Sequence, residues 1–363
     1  MVLAMGAFTG DTEGSNRDLV YFRAARECVS LSVIEKGSLC YVQGLTLMAN
    51  YLQKRNKPNA GFALVGIAWS MALAIGLHRE FGSVGTTPFA METRRRTWWA
   101  LFLFVSGAQL TLGRPPASLI GINLHAPINV EDADLSVDMD VLPEPKSRPT
   151  VSSCIIAQIP LGKIANEVQT ELLTNHVPEI DAVERLDRSI DDWLHNLPGF
   201  LSLEREAEPR IEWPKRVLLW RSYHLRIVLN RPFLFQAIAQ NHDISLADVR
   251  VQRCISTADE CVDYIHKSVV ESGNWKRGFA WYATYWLISA SFVHAICYTY
   301  APQSKLASGW NLRIRRAIEV LGKVGFAHSM AERAKRILQN IHGATQTFRF
   351  YCTLAYANLL QIA

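Results

Sequence analysis

The sequence predicts an all-α protein, one large helical domain of about ten helices with an acidic, proline-rich loop in its middle. Three observations carry that expectation. Apolar residues recur at three- and four-residue spacing along most of the chain. Alternating β-branched runs bounded by hairpin turn residues are missing. Hydrophobic residues make up 49% of the 363 and charged residues 20%, which supplies the apolar mass of a sizeable core.

Taken in order, the periodicity predicts helices near 18–33, 38–56, 60–79, 90–112, 153–174, 179–196, 214–238, 246–271, 279–300 and 310–352, after an extension over 1–17. Asn56-Lys57-Pro58-Asn59 turns the chain between the second and third. The third closes at Gly76-Leu77-His78-Arg79, where a cationic His78 would suit the negative end of the helix dipole. The fourth opens with Glu92 and Arg96, spaced for a helical ion pair with the acid first and in the first turn. Trp98 and Trp99 start its buried part. Gly113-Arg114-Pro115-Pro116 ends it, since glycine permits a left-handed residue and proline prevents continuation. Arg114 is placed to bridge that end to an acidic partner.

The middle of the chain changes character. Residues 126–151 hold Pro127, Pro143, Pro145 and Pro149 amid Glu131, Asp132, Asp134, Asp138 and Asp140, and read as a long surface loop or linker between helical parts at 18–125 and 152–363. Beyond it, Arg231-Pro232-Phe233 repeats the helix-ending logic of the first half. Leu246, Val249, Cys254, Ala258, Cys261, Ile265 and Val269 share one helical face, with Cys254 and Cys261 as buried thiols. Ile314, Ile318 and Leu321 begin the last stripe, and Arg313, Arg315 and Arg316 fall off it as a solvated turn.

Composition excludes several classes. The net charge of +5 is spread through helices, and nucleic-acid binding would need a basic stripe with a reading element. Seven scattered cysteines, none in a Cys-x-x-Cys pair, point to a reducing compartment and away from a disulfide framework or a zinc site. Residues 1–14 lack the basic and apolar regions of a secretory signal. Uncharged stretches run from Pro58 to Leu77 and from Gly278 to Ser304, each long enough to span a bilayer. A helical membrane protein with spans near 59–77 and 280–300 is therefore the alternative reading. Against it stand Ser289, Ser291, His294 and several tyrosines in the second stretch and the small residues of the first, so burial of both in one core is expected. A helical enzyme ranks third. Asp187-x-x-x-Asp191-Asp192 lacks the order of a metal-binding Asp-Asp-x-x-Asp motif, and no nucleophile elbow, His-Glu-x-x-His, phosphate loop or dinucleotide fingerprint is present. No catalytic or metal residue is nominated.

Four ordered stretches carry a resemblance. They are YFRAAREC (21–28) with YVQGLTLMANYLQKRNKPNAGF (41–62), GIAWSMALAIGLHRE (66–80), ETRRRTWWALFLFVSGAQLTLGRPP (92–116) with INLHAPINVEDADL (122–135), and WRSYHLRIVLNRPFL (220–234). Together, over about residues 18 to 300, they resemble the middle homology region of fungal zinc-cluster transcription factors. The family motif maps onto Gly76, Leu77, His78, Arg79, Glu92, Arg94, Arg95, Arg96, Trp98, Trp99, Gly113, Arg114, Pro115, Arg231 and Pro232. Two positions depart from it: Phe104-Val105-Ser106 stands where the family has an acidic residue, and Gln109 replaces a serine, so a local polar contact is missing or rebuilt.

The resemblance implies a transcription regulator's sensing and inhibitory domain, acting in the nucleus on metabolic genes. It implies contact with co-regulators or the transcription machinery, a small apolar effector, and compatibility with a homodimer. Zinc and DNA would be bound only through an N-terminal cysteine cluster that these residues do not contain; the chain itself would need no cofactor and touch no membrane. Arg94–Arg96 read either as a nuclear-import or phosphate patch or as a helical turn tied to acidic neighbours. The aromatic helix 279–300, with Trp281, Tyr285, Trp286 and His294, is where an effector pocket is expected, although plain core packing explains each of these residues singly.

Overall fold

The computed structural model describes residues 1–10, 16–30, 35–82, 85–175, 177–203, 205–206, 208–244, 248–271, 277–325 and 329–343. Among them stand twelve α-helices and no strand: α1 (Val2–Gly10), α2 (Arg17–Glu27), α3 (Leu39–Lys54), α4 (Pro58–Ala74), α5 (Pro88–Leu112), α6 (Ser153–Thr174), α7 (Ile180–His195), α8 (Glu212–Ala239), α9 (Val249–His266), α10 (Arg277–Tyr300), α11 (Ala307–Val324) and α12 (Ser329–Gly343). The chain divides into two compact units. The first comprises Met1–Thr111, Pro115–Asn166 and Trp193–Lys215; the second comprises Leu112–Arg114, Glu167–Asp192 and the chain from Arg216 onward.

In the first unit, Ser38 caps α3 by accepting from the Tyr41 N–H at 3.3 Å, and Pro58 starts α4 where no N–H is needed. Asn56 supplies the left-handed residue between them, with φ 58°. The two helices cross closely at Gly61, where a Cβ would lie 2.8 Å from the Ala49 carbonyl oxygen. Gly162 of α6 plays the same part against Leu103 and Phe102 of α5. Val42, Leu45, Val65, Met71, Leu77, Trp98, Trp99, Phe102 and Ile159 close the core around these crossings.

The uncharged stretch of α4 is amphipathic by residue size. Gly61, Val65, Ala68, Met71 and Ala72 are buried, whereas Ala60, Ala63, Gly66, Ser70, Leu73 and Ala74 face solvent. Burial of the whole stretch, and in a core shared with α10, is thus corrected: α10 belongs to the second unit. Helix α4 also stops at Ala74, short of the expected residue 79, because Gly76 takes φ 63°. Among the described residues no helix is long and apolar enough to cross a membrane, so the spans expected near 59–77 and 280–300 in the alternative reading are not supported.

The loop over 126–151 is strapped down rather than a linker. Asn129 Nδ2 donates to the Lys146 and Arg148 carbonyls at 2.6 and 3.0 Å, and its Oδ1 accepts from Thr150 and Ser153 at 2.7 and 2.6 Å. Glu131 pairs with Arg148 and Arg210, and Asp134 with Lys146. These bonds answer the loop's backbone groups, which proline keeps out of regular structure.

The second unit is organised on α8, where every residue from Val217 to Asn230 is buried. Pro232 does not end this helix, contrary to the parallel drawn with Gly113-Arg114-Pro115; α8 continues to Ala239. An internal proline costs about 3 kcal/mol, and burial of Phe233, Leu234 and Ala237 beyond it outweighs that penalty. The expected single helix over 310–352 is two, α11 and α12, which part near Gly325; residues 344–352 lie outside those described. A π-helical turn, Lys267–Glu271, extends α9.

Candidate functional site

Two family-motif arginines of the first unit, Arg95 and Arg96, approach Glu92. This carboxylate is fully buried, yet it accepts from Arg96 Nε at 2.9 Å and from the Ile128 N–H at 3.2 Å, with Arg95 Nη1 3.7 Å away. Burial pushes its pKa up, against the pull of Arg96, the Ile128 N–H and Arg95. Because α5 begins at Pro88, Glu92 lies in its second turn and not its first, so bonds rather than the helix dipole hold its charge. Arg96 reaches on to Asp132 at 2.7 Å. Arg95 pairs with Glu80, and burial of Glu80 is overcome by Arg95 and the His125 N–H, which together lower its pKa.

Arg94 takes the role expected of His78. Its Nη2 donates to the Gly76 carbonyl at 2.6 Å, so a permanent cation satisfies the end of α4, and its guanidinium stacks 4.9 Å from the Phe81 ring centroid. His78 is held neutral instead: burial, then Arg79 and Arg94, lower its pKa. Its ring lies 6.0 Å from Trp98, and its carbonyl accepts from the Asn123 N–H at 3.2 Å. Leu77 is fully buried, and Arg79 bridges to Asn123 and donates to the His78 ring at 3.2 Å. Trp98 packs at a tilt against Trp69, ring centroids 4.7 Å apart, and Trp99 Nε1 donates to the His125 carbonyl at 2.7 Å. All three arginines are half-buried rather than solvated; Arg95 and Arg96 are tied to acidic neighbours, whereas Arg94 is bound to backbone carbonyls.

The departures from the family pattern are rebuilt locally. Gln109 Oε1 accepts from the Ala117 N–H at 2.9 Å, and Ser106 donates to the Gly162 carbonyl at 3.3 Å. Gly113 takes φ 61° past the end of α5, and Pro115 follows. Arg114 is exposed and makes no ion pair among the described residues; its carbonyl accepts from Gln169 Nε2 at 3.1 Å. The backbone at that glycine, not the guanidinium, does the bridging.

In the second unit the aromatic residues of α10 meet α8. Trp281 and Tyr285, one turn apart, stack at 5.4 Å, and Trp286 packs edge-on against Trp220 at 6.2 Å. His224 lies edge-on to Tyr285 at 5.2 Å; burial, then Arg231 and Arg221, hold its pKa down at about 3. His294 does not join them. It lies about 12 Å further along α10 than Trp286, at 1.5 Å per residue, with Asp259 3.6 Å from its Nε2. Burial lowers His294 to about 4 and raises Asp259 to about 6, Asp259 also facing Arg313 at 2.9 Å. Arg313 and Arg316 both pair with Asp263, so this basic turn is tied down too. Arg231 stacks on Phe235 at 5.9 Å. Cys254 and Cys261 are fully buried thiols with raised pKa values.

One arrangement escaped sequence reasoning. Asp187 and Asp191, one turn apart on α7, receive two arginines, Arg226 from α8 and Arg253 from α9. The signal was present in the Asp187-x-x-x-Asp191 spacing, which as a metal motif had failed on order. A cleft of about 710 Å³ opens beside this network, lined by α7, α8 and α9.

Residues 1–195 match the sequence profile of the fungal specific transcription factor domain. The lactose regulatory protein of Kluyveromyces lactis is 26% identical over 356 residues, 93% of this chain and 38% of that protein. Activator of stress genes 1 of Saccharomyces cerevisiae is 25% identical over 277 residues, 73% of this chain and 28% of that protein. The thiamine repressible genes regulatory protein of Schizosaccharomyces pombe is 23% identical over 240 residues, 64% of this chain and 30% of that protein. The chain thus spans well under half the length of these relatives. No solved structure matches it.

Proposed function

This chain belongs to the fungal specific transcription factor domain family, and from that premise we propose that it is the sensing and inhibitory domain of a nuclear transcription regulator and has no enzymatic activity. One observation carries the reading. Similarity to the lactose regulatory protein runs along 93% of the chain, through both helical units, well beyond the matched profile at 1–195. The polar chemistry supports it. Glu92, Arg94, Arg95 and Arg96 are engaged in bonds that hold the fold.

The mechanism follows from differential binding. A small molecule that prefers one packing of a helical core shifts the domain toward it and so exposes or masks a surface for co-regulators or the transcription machinery. DNA recognition is assigned to a zinc cluster outside these residues. The test is a fusion of the 363-residue chain to a heterologous DNA-binding domain beside a reporter gene. Reporter output should differ severalfold from that of the DNA-binding domain alone. Equal output across growth conditions would remove the regulatory reading.

A further inference from the structure

We propose that the cleft between α7 and α9, floored by Asn230 of α8, binds a small zwitterion carrying both a carboxylate and an ammonium group, such as a free amino acid. Its volume of about 710 Å³ falls within the range of small-molecule sites. The floor residue is buried, 1% exposed, yet lines the cleft. Its Nδ2 donates to the Arg226 carbonyl at 3.0 Å, and its Oδ1 makes no hydrogen bond among the described residues. That oxygen is the open acceptor of the cleft floor, and a ligand ammonium would answer it.

The walls offer complementary unspent groups. Arg188 uses only Nε, donating to the Glu184 carbonyl of its own helix at 3.2 Å, so both Nη groups remain for a carboxylate. Arg253 spends Nε on Asp187 and Nη2 on Asp191, at 3.1 and 2.8 Å, and keeps Nη1. Glu184 offers its second carboxylate oxygen, its first lying 3.6 Å from Arg250. Charges of both signs therefore line one cavity. Asp187 and Glu184 would repel a dianion such as phosphate, whereas a dipolar molecule of zero net charge meets donors from Arg188 and Arg253 and acceptors from Glu184 and Asn230. This ligand class differs from an apolar effector at α10. It deepens the sensing role and depends on that role only for its regulatory consequence.

The test is calorimetric titration of the full chain with L-serine, L-glutamine and L-leucine, against propionate, n-butylamine and inorganic phosphate. At least one amino acid should bind at millimolar concentration or below, about tenfold or more tighter than the single-charge controls, the equivalent of about 1.4 kcal/mol. Arg188→Gln should weaken that binding about tenfold without moving the thermal midpoint, since Arg188 is exposed and bonded only to its own helix. Glu184→Gln should weaken n-butylamine and amino acids alike while leaving propionate unchanged. Propionate or phosphate binding as tightly as the amino acids, an unchanged Arg188→Gln affinity, or no amino acid binding would overturn the site. The reporter fusion reads separately: with binding intact and reporter output flat, the site stands and the regulatory role falls.

Discussion

Glu92 and His224 show two ways a buried ionisable side chain is held. Glu92 is met by two arginines and a backbone N–H, which pull against the burial that raises its pKa. His224 has no carboxylate partner among the described residues and stays neutral, its pKa held at about 3 by burial and by Arg231 and Arg221. The unfolded chain would protonate this histidine near the ordinary 6.5, so below that pH it binds more protons than the native state. Stability is therefore fully present above pH 6.5 and declines as pH falls toward about 3. Asp259 and His294 are a poorer probe, since the raised acid and the lowered histidine act with opposite signs over the same window. Urea unfolding between pH 7 and pH 4 should show a shallower loss of stability in His224→Gln than in the parent chain. Equal slopes would show that the native His224 protonates freely.

At the scale of the element, two small residues make opposite predictions. Gly61 lets α3 and α4 approach, and a methyl there would press on the Ala49 carbonyl at 2.8 Å. That contact is backbone on backbone and cannot be relieved by a rotamer. Gly61→Ala should cost about 1–3 kcal/mol as overpacking, despite a helix-propensity gain of about 1 kcal/mol. Pro232 withholds the N–H that the Val228 carbonyl would receive inside α8. Pro232→Ala should stabilise the chain by about 1–3 kcal/mol. Chemical denaturation of the two variants checks both signs, and a destabilised Pro232→Ala would assign the proline a packing role that outweighs its missing bond. Helix existence was legible from period alone, because an apolar stripe declares a buried face. Helix ends were less so: α4 stops early at a left-handed glycine, and α8 runs through a proline, since packing outweighed the local rule.

For the whole molecule, charge and pairing decide how it meets DNA. The net charge is +5, and in the arginine-rich turns that looked basic in sequence Arg95, Arg96, Arg313 and Arg316 are paired with Glu80, Glu92, Asp132, Asp259 and Asp263. Sequence preference needs an element that reaches base edges, and without one only salt-sensitive phosphate attraction remains. The 363-residue chain should show no preference among DNA fragments at about 0.15 M salt, with residual binding fading as salt rises. A gel-shift competition that found tight, sequence-selective binding would place the DNA-reading element inside this chain.

The sequence by itself determined the helical class, the burial of Trp98 and Trp99, the Glu92–Arg96 pair and the family, because each rests on spacing within a few residues. Tertiary structure decided what those residues serve. Arg94 rather than His78 closes α4, because only the fold brings the guanidinium to the Gly76 carbonyl. Arg114 is left in solvent while its backbone is bound. The cleft over Asn230 assembles from three helices whose contributing residues lie up to about seventy positions apart. Local periodicity is written in each segment, but long-range pairing is chosen by which polar groups the packed core leaves without water, and no single segment records that choice.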